Sequence, residues 1–208
     1  MIGCNTDEPA TPPPAAEASA PAPAPVEPAQ PSGIYTPEYV SNGDEIAVIT
    51  TNKGVIKVQL TGKDTPIHVG NFVELAQKGF YDGVKFHRYV PGFVVQGGDP
   101  QTTAVPADEL IARADDPMSP YGKGGPGYTI KGEFTTNPNN VHVDGALGMA
   151  RSQNPDSAGS QFYFCLGAQP DLDSGYTVFG TTIEGRDVID QLRIGDEVTS
   201  VTIENANG

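Results

Sequence analysis

The chain has 208 residues and a formal net charge of −14, which allows one ordinary domain plus a tail. An acidic chain with no basic stripe argues against a nucleic-acid binder and against adhesion to anionic membrane surfaces. Two cysteines (Cys4, Cys165) and three scattered histidines (His68, His87, His142) have no metal-ligand spacing, and no apolar run is long enough to span a bilayer.

The start, Met1-Ile2-Gly3-Cys4-Asn5, is similar to the end of a bacterial lipoprotein signal, with Cys4 in the lipidated position. It lacks the positively charged and apolar regions that precede such a site. The expectation is an extracytoplasmic, membrane-tethered protein; the alternative is a chance match in a cytoplasmic one. Residues 9–31 read PATPPPAAEASAPAPAPVEPAQP. With almost no branched or aromatic residues, this stretch cannot offset chain entropy by burial and is expected to be a disordered linker. The expected division is therefore 1–33, lipobox-like start and linker, and 34–208, one folded domain.

Glu45–Thr51 and Val55–Leu60 are two β-prone runs, and Asn52-Lys53-Gly54 between them reads as a hairpin turn. Thr65 suits an N-cap and Pro66 the first helical position. Val69, Phe72, Val73 and Ala76 then share a helical face, and Gly79 provides the stop. From Val84 onward the chain reads as short strands: Val84–Tyr89, Phe93–Gln96, Tyr128–Ile130, Ala146–Ala150, Gln161–Leu166, Thr177–Thr182 and Val198–Glu204. A second helix fits Arg186–Arg193, with Gly195 as its stop. Gln101–Lys123 is a long connection whose centre, Pro106–Ala114, fits one or two helical turns. Many short strands with two helices predict a mainly β fold, a closed antiparallel eight-stranded barrel capped by two α-helices.

The segment Phe86-His87-Arg88-Tyr89-Val90-Pro91-Gly92-Phe93-Val94-Val95-Gln96-Gly97-Gly98-Asp99 reads as strand, Pro-Gly turn, strand. Arg88 and Gln96 stand among apolar neighbours, a costly placement unless they are satisfied or line a site. The pattern FHRxxPGFxxQGGD resembles the hallmark of the cyclophilins. Gly125-Pro126-Gly127-Tyr128, Gly145–Arg151, Gly159–Phe164 and Val178-Phe179-Gly180 match in the family's order, over roughly residues 45 to 205.

That resemblance implies a peptidyl-prolyl cis/trans isomerase acting on X-Pro bonds and assisting folding. It implies Arg88 as catalytic arginine and Gln96 as the residue that orients the arginine and the substrate. It implies Phe93, Val94, Tyr163 and Leu172 around the proline ring, and Ala150, Arg151 and Gln161 along the peptide backbone. Arg151 would act through its main chain, and Tyr176 would flank the pocket. No cofactor or metal is implied. The expected partners are proline-containing peptides and unfolded or folding proteins, met by a monomer. A non-catalytic peptide-binding or holdase module using the same groove is the alternative. A lipocalin-like small-molecule barrel fits poorly with the polar set Arg88, Gln96 and Gln161.

Some positions depart from the family's pattern. Val94 stands in place of a common methionine, Tyr163 of a phenylalanine, Arg151 of an asparagine and Tyr176 of a histidine. Asp171 falls where eukaryotic members often carry tryptophan. A carboxylate there replaces an indole donor and a large apolar face. Weak inhibition by cyclosporin is therefore expected, with Asp171→Trp tightening it. Nanomolar inhibition of the unmodified chain in a prolyl exchange assay would contradict this.

Overall fold

The computed structural model describes Met1 and residues 33–206. The lipobox-like start with Cys4 and the Pro/Ala-rich stretch lie outside the described residues. The chain runs β1 (Ile34–Tyr35), β2 (Glu45–Thr51), β3 (Gly54–Leu60), α1 (Pro66–Gln77), β4 (Arg88–Val90), β5 (Val94–Gly97), α2 (Ala107–Ala112), β6 (Thr129–Ile130), β7 (Ala146–Met149), β8 (Phe162–Cys165), β9 (Val178–Glu184), α3 (Arg186–Gln191) and β10 (Val198–Asn205). Eight strands form one antiparallel sheet in the order β10-β2-β3-β9-β7-β8-β5-β4. It curves into a half-barrel accompanied by the three helices.

The β2–β3 hairpin forms on the expected residues. Thr51 pairs with Gly54, so the turn is Asn52-Lys53, and Gly54 takes the positive φ of 145°. Strand alternation is clean in β2, where Glu45, Ala47, Ile49 and Thr51 are buried and the residues between them are partly exposed.

Several expectations need correcting. The stretch Val84–Tyr89 is not one strand: β4 begins at Arg88, and Lys85 forms only an isolated bridge to Glu197. Backbone bonds link this stretch to the approach to β10: Val198 N–H donates to Val84 O (2.8 Å) and Phe86 N–H to Asp196 O (2.9 Å). Thr129–Ile130 does not join the large sheet but pairs in parallel with β1. Among the described residues there are three α-helices rather than two, because Ala107–Ala112 inside the long connection is helical. Leu110, 2 % exposed, anchors that extra helix.

Helix α1 is more deeply inserted than its pattern suggests: every residue from His68 to Ala76 is buried. Phe72 packs against Tyr81, Phe162 and Phe179 in the main core. So deep a helix cannot leave its first N–H groups to water. Thr65 does not cap them; its hydroxyl donates to Thr61 O instead (3.0 Å). The cap comes from Glu133, sixty-odd residues away, whose carboxylate accepts from Ile67 N–H (3.1 Å) and His68 N–H (2.9 Å). The same carboxylate lies 2.6 Å from His68 Nδ1. Gly79 ends the helix as expected, with φ +67°.

Glu133→Ala strands these buried donors together. A loss of about 3 kcal/mol is expected, since each unsatisfied buried group costs about 1–3 kcal/mol. Denaturant titration of the variant measures it, and a loss below about 1 kcal/mol would show that water replaces the carboxylate.

Candidate active site

The site grows out of one row of cross-strand neighbours. Arg88 on β4 pairs with Gln96 on β5, Gln96 with Tyr163 on β8, and Tyr163 with Gly148 on β7. Directly paired residues project from the same face of a sheet, so the row places a cation, an amide and a phenol side by side. Strand β8, Phe162-Tyr163-Phe164-Cys165, is buried throughout. Phe162 and Phe164 enter the main core, whereas Tyr163 and Cys165 enter a second cluster with Val94, Ala146 and Val178. Phe93, Ala150, Leu172 and Tyr176 pack on that second cluster.

Together they enclose a cavity of about 380 Å³ lined by Arg88, Phe93, Val94, Gln96, Ala150, Arg151, Tyr163, Leu172 and Tyr176. Nine of the ten residues singled out in the sequence therefore meet in one space. The tenth, Gln161, lines an adjoining cavity of about 440 Å³ that shares Gln96, Ala150 and Arg151 with the first. Gly148 is where the phenol needs room: a Cβ there would collide with the Tyr163 ring.

Arg88 is exposed at the cavity's lip, its guanidinium carbon 5.6 Å from the centre of the Phe93 ring. Among the described residues its guanidinium has no hydrogen bond and no ion pair. The expected link from Gln96 is not there. Gln96 Nε2 instead donates to Gln161 Oε1 (2.9 Å), and Gln161 Nε2 donates to Gly124 O (2.8 Å). The terminal carbonyl only accepts, which sets the polarity of both amides and leaves Gln96 Oε1 as an available acceptor beside Arg88.

The Arg151 side chain is held in place: Nε donates to Gly175 O (2.6 Å), Nη1 to Ser152 O (2.8 Å) and Gln153 O (3.2 Å), and the guanidinium lies over the Tyr176 ring at 4.7 Å. The neighbouring Ala150 N–H is already given to Gln161 O (2.8 Å). Asp171 is exposed beside Leu172.

Three residues not singled out as site residues shape the pocket. His142, whose side chain is 0 % exposed, lies with Nδ1 2.8 Å from Asp173 Oδ1 and Nε2 2.9 Å from the Tyr163 hydroxyl. The carboxylate accepts, so Nδ1 carries the proton, Nε2 accepts, and Tyr163 donates. One imidazole thus ties the pocket floor to the 170–176 turn that carries Leu172 and Tyr176. The sequence signal was Tyr163 itself, since a hydroxyl placed where relatives have none needs a partner.

Asp99 pins the long connection at both ends. Its carboxylate accepts from Gln101 N–H (2.8 Å), Gly122 N–H (2.6 Å) and Gly124 N–H (3.1 Å). Held so, the insertion walls a further cavity of about 380 Å³ beside Arg88, with His87 on its inner side. His87 is 9 % exposed, and neither ring nitrogen makes a hydrogen bond of normal geometry. Burial lowers its pKa; Asp99 opposes the shift, Arg88 adds to it, and the nearby Gln161 side chain and Lys85 backbone oppose it weakly. Burial likewise lowers the pKa of His142, against the opposing pull of Asp173. Among the described residues no group of three His, Cys, Asp or Glu side chains is placed to hold a metal ion.

Comparison with known proteins places this geometry in a family. Residues 46–207 match the family model for cyclophilin type peptidyl-prolyl cis-trans isomerases. A peptidyl-prolyl cis-trans isomerase of Helicobacter pylori is 43% identical over 162 residues, covering 77% of this chain and 87% of the relative. One from Synechococcus elongatus is 42% identical over 159 residues, covering 76% and 94%. A Cryptosporidium parvum cyclophilin type isomerase, solved in the presence of the dipeptide Ala-Pro, superposes with a TM-score of 0.63 at 27% identity, covering 77% of this chain and 99% of its own.

The two buried histidines make a pH prediction. Their folded pKa values lie below the ordinary 6.5, so the unfolded chain binds protons first as pH falls. Their contribution to stability is complete above 6.5 and is lost as pH drops from there toward the depressed folded values. Melting temperature between about pH 8 and pH 5 should stay level and then fall. The fall should shrink in His142→Gln; an unchanged slope in that variant would remove His142 from the account.

Proposed function

The chain belongs to the cyclophilin-type peptidyl-prolyl cis-trans isomerase family and is an enzyme of that class, and from this premise we propose that Arg88 catalyses rotation about X-Pro bonds held in the 380 Å³ cavity. The observation that carries the reading is an unpaired guanidinium at the lip of a space walled by Phe93, Val94, Tyr163 and Leu172. The family's binding of proline-containing peptides makes such a peptide the occupant. Phe93, Val94, Tyr163 and Leu172 take the proline ring. The main chain at Ala150 and Arg151, with Gln161, holds the flanking backbone.

The barrier to rotation, about 18–20 kcal/mol, comes from lone-pair sharing between the amide nitrogen and the carbonyl. In the twisted state the proline nitrogen pyramidalises and regains its lone pair. Arg88 then donates an N–H to that nitrogen, a bond the planar ground state does not offer. Uncatalysed exchange takes tens to hundreds of seconds. Reaching milliseconds needs a gain of about 10⁴- to 10⁵-fold, or about 5.5–7 kcal/mol. A charge-assisted bond supplies about 1.5–3 kcal/mol. The remainder comes from a dry wall and a fixed orientation. Gln96 contributes through its available Oε1, which accepts from Arg88 once substrate draws the guanidinium inward.

Two further readings go with this one. The backbone bonds between 83–86 and 195–198 support a sheet closed into a barrel. The Met1–Asn5 pattern supports a lipid anchor on Cys4, with the isomerase working outside the cytoplasm as a monomer. Intact mass of the membrane fraction, with and without Cys4→Ala, tests the anchor.

Arg88→Ala should lower the catalytic constant for an X-Pro peptide by two to three orders of magnitude, about 3–4 kcal/mol. Arg88→Lys should rescue little, because the ammonium loses the planar fork that reaches Gln96 and the proline nitrogen together. Peptide affinity should fall much less than rate. NMR exchange spectroscopy with a binding isotherm measures both. Retention of more than about a third of wild-type exchange in Arg88→Ala would disprove the assignment.

A further inference from the structure

We propose that the Ala20–Pro25 segment of this same chain docks in the proline pocket, so that the enzyme carries an intramolecular substrate that competes with its clients. The inference rests on the reading of the 380 Å³ cavity as the X-Pro site. Three observations carry it.

The first is where the described domain begins. Gly33 O accepts from Thr129 N–H (2.9 Å), and Ile34–Tyr35 pair with Thr129–Ile130. Thr129 and Tyr128 line the 440 Å³ cavity that shares Gln96, Ala150 and Arg151 with the proline pocket. The fold thus delivers its N-terminal arm at the wall of the peptide groove, rather than on the opposite side of the domain.

The second is the sequence of what is delivered. Ala20-Pro21-Ala22-Pro23-Ala24-Pro25 presents three successive Ala-Pro bonds. A small apolar residue before proline gives no charge to bury and no bulk to exclude at a pocket bounded by Phe93, Ala150 and Tyr163.

The third is length. Fully extended at about 3.1 Å per residue, the eight residues from Pro25 to Ser32 would reach about 25 Å. A tether of that size sets an effective concentration in the roughly millimolar range. A weakly bound X-Pro unit is then occupied without any further contact. A client must displace the arm, so its apparent KM rises while kcat is untouched.

The experiment compares the full chain with a full-length variant carrying Pro21→Ala, Pro23→Ala and Pro25→Ala. KM for a short exogenous X-Pro peptide should fall at least about twofold in the variant, with kcat unchanged. In the unmodified chain the arm's own Ala-Pro bonds should show cis/trans exchange cross-peaks at a catalysed rate, independent of protein concentration and abolished by Arg88→Ala. The Phe93 and Tyr163 ring resonances should shift between the two chains. Equal KM, unshifted rings and arm bonds exchanging over tens of seconds or more, with the exogenous peptide still catalysed, would overturn the inference and leave the isomerase reading standing. Arm exchange that grows with protein concentration would also overturn it, since the docking would then be between copies. Failure on the exogenous peptide as well would sink both.

Discussion

Everything at the site depends on one short strand being buried on both faces. Phe162 and Phe164 of β8 fill the main core, and Tyr163 and Cys165 stand on the other side. Most antiparallel sheets leave their second face to water. Here that face needs cover of its own, and the cover is the β4–β5 hairpin with Phe93 and Val94 and the 170–176 turn with Leu172 and Tyr176. Neither is large enough to close the space completely. The gap left between them is the pocket, a hollow with apolar walls and a polar edge of Arg88, Gln96 and Arg151.

Polar groups then decide how firmly the walls stand. The 170–176 turn has little apolar surface to hold it. It is fixed instead by hydrogen bonds: Asn140 Nδ2 donates to Asp173 O (2.6 Å) and Tyr176 O (2.9 Å), and His142 N–H donates to the Asp173 carboxylate (2.7 Å). His142 carries the restraint across to Tyr163. On the other flank, Asp99 clamps the insertion, and the two amides Gln96 and Gln161 run from the pocket to Gly124. Each chain ends on a backbone group, so none of these side chains is free to rotate into the space where a proline ring would lie. That rigidity is what a catalyst acting through orientation requires.

Much of this was legible beforehand, for a physical reason. Hairpins are local, so the β-prone runs Glu45–Thr51 and Val55–Leu60, the turn at Asn52-Lys53-Gly54 between them and the Pro-Gly turn before Phe93 could be read from neighbours alone. The pocket residues were legible through family resemblance, which fixed positions that spacing could not. What stayed hidden depends on contacts between distant residues. Thr65 looked like a cap because propensity is a local quantity, yet Glu133 does the capping. Val84–Tyr89 looked like a strand from its Val, Phe and Tyr, but its pairing partners lie near residue 197. His142 carried no local sign of a role, since its role comes from Tyr163 and Asp173, and both are far along the chain. The resemblance alone linked Gln96 to Arg88, and the resting bond to Gln161 follows from the loop that brings Gly124 alongside.

The unpaired state of Arg88 is the remaining point, and it fits the chemistry better than the pairing the sequence suggested. A guanidinium already bonded to Gln96 and to a carboxylate would have to break those bonds before reaching the proline nitrogen, and their loss would offset the new bond. In the pocket the neighbours of Arg88 are Phe93, Val94 and Gln96, none of them acidic, while Asp115 and Asp116 line the further cavity beside it without forming an ion pair to it. The Phe93 ring offers its negative face at 5.6 Å, an attraction weak enough, at about 0.5–1 kcal/mol for an exposed site, to position the cation without holding it. On the proposed mechanism Arg88 is thus poised by a sheet register and an aromatic ring, with its donors left available for the nitrogen of a twisted X-Pro bond.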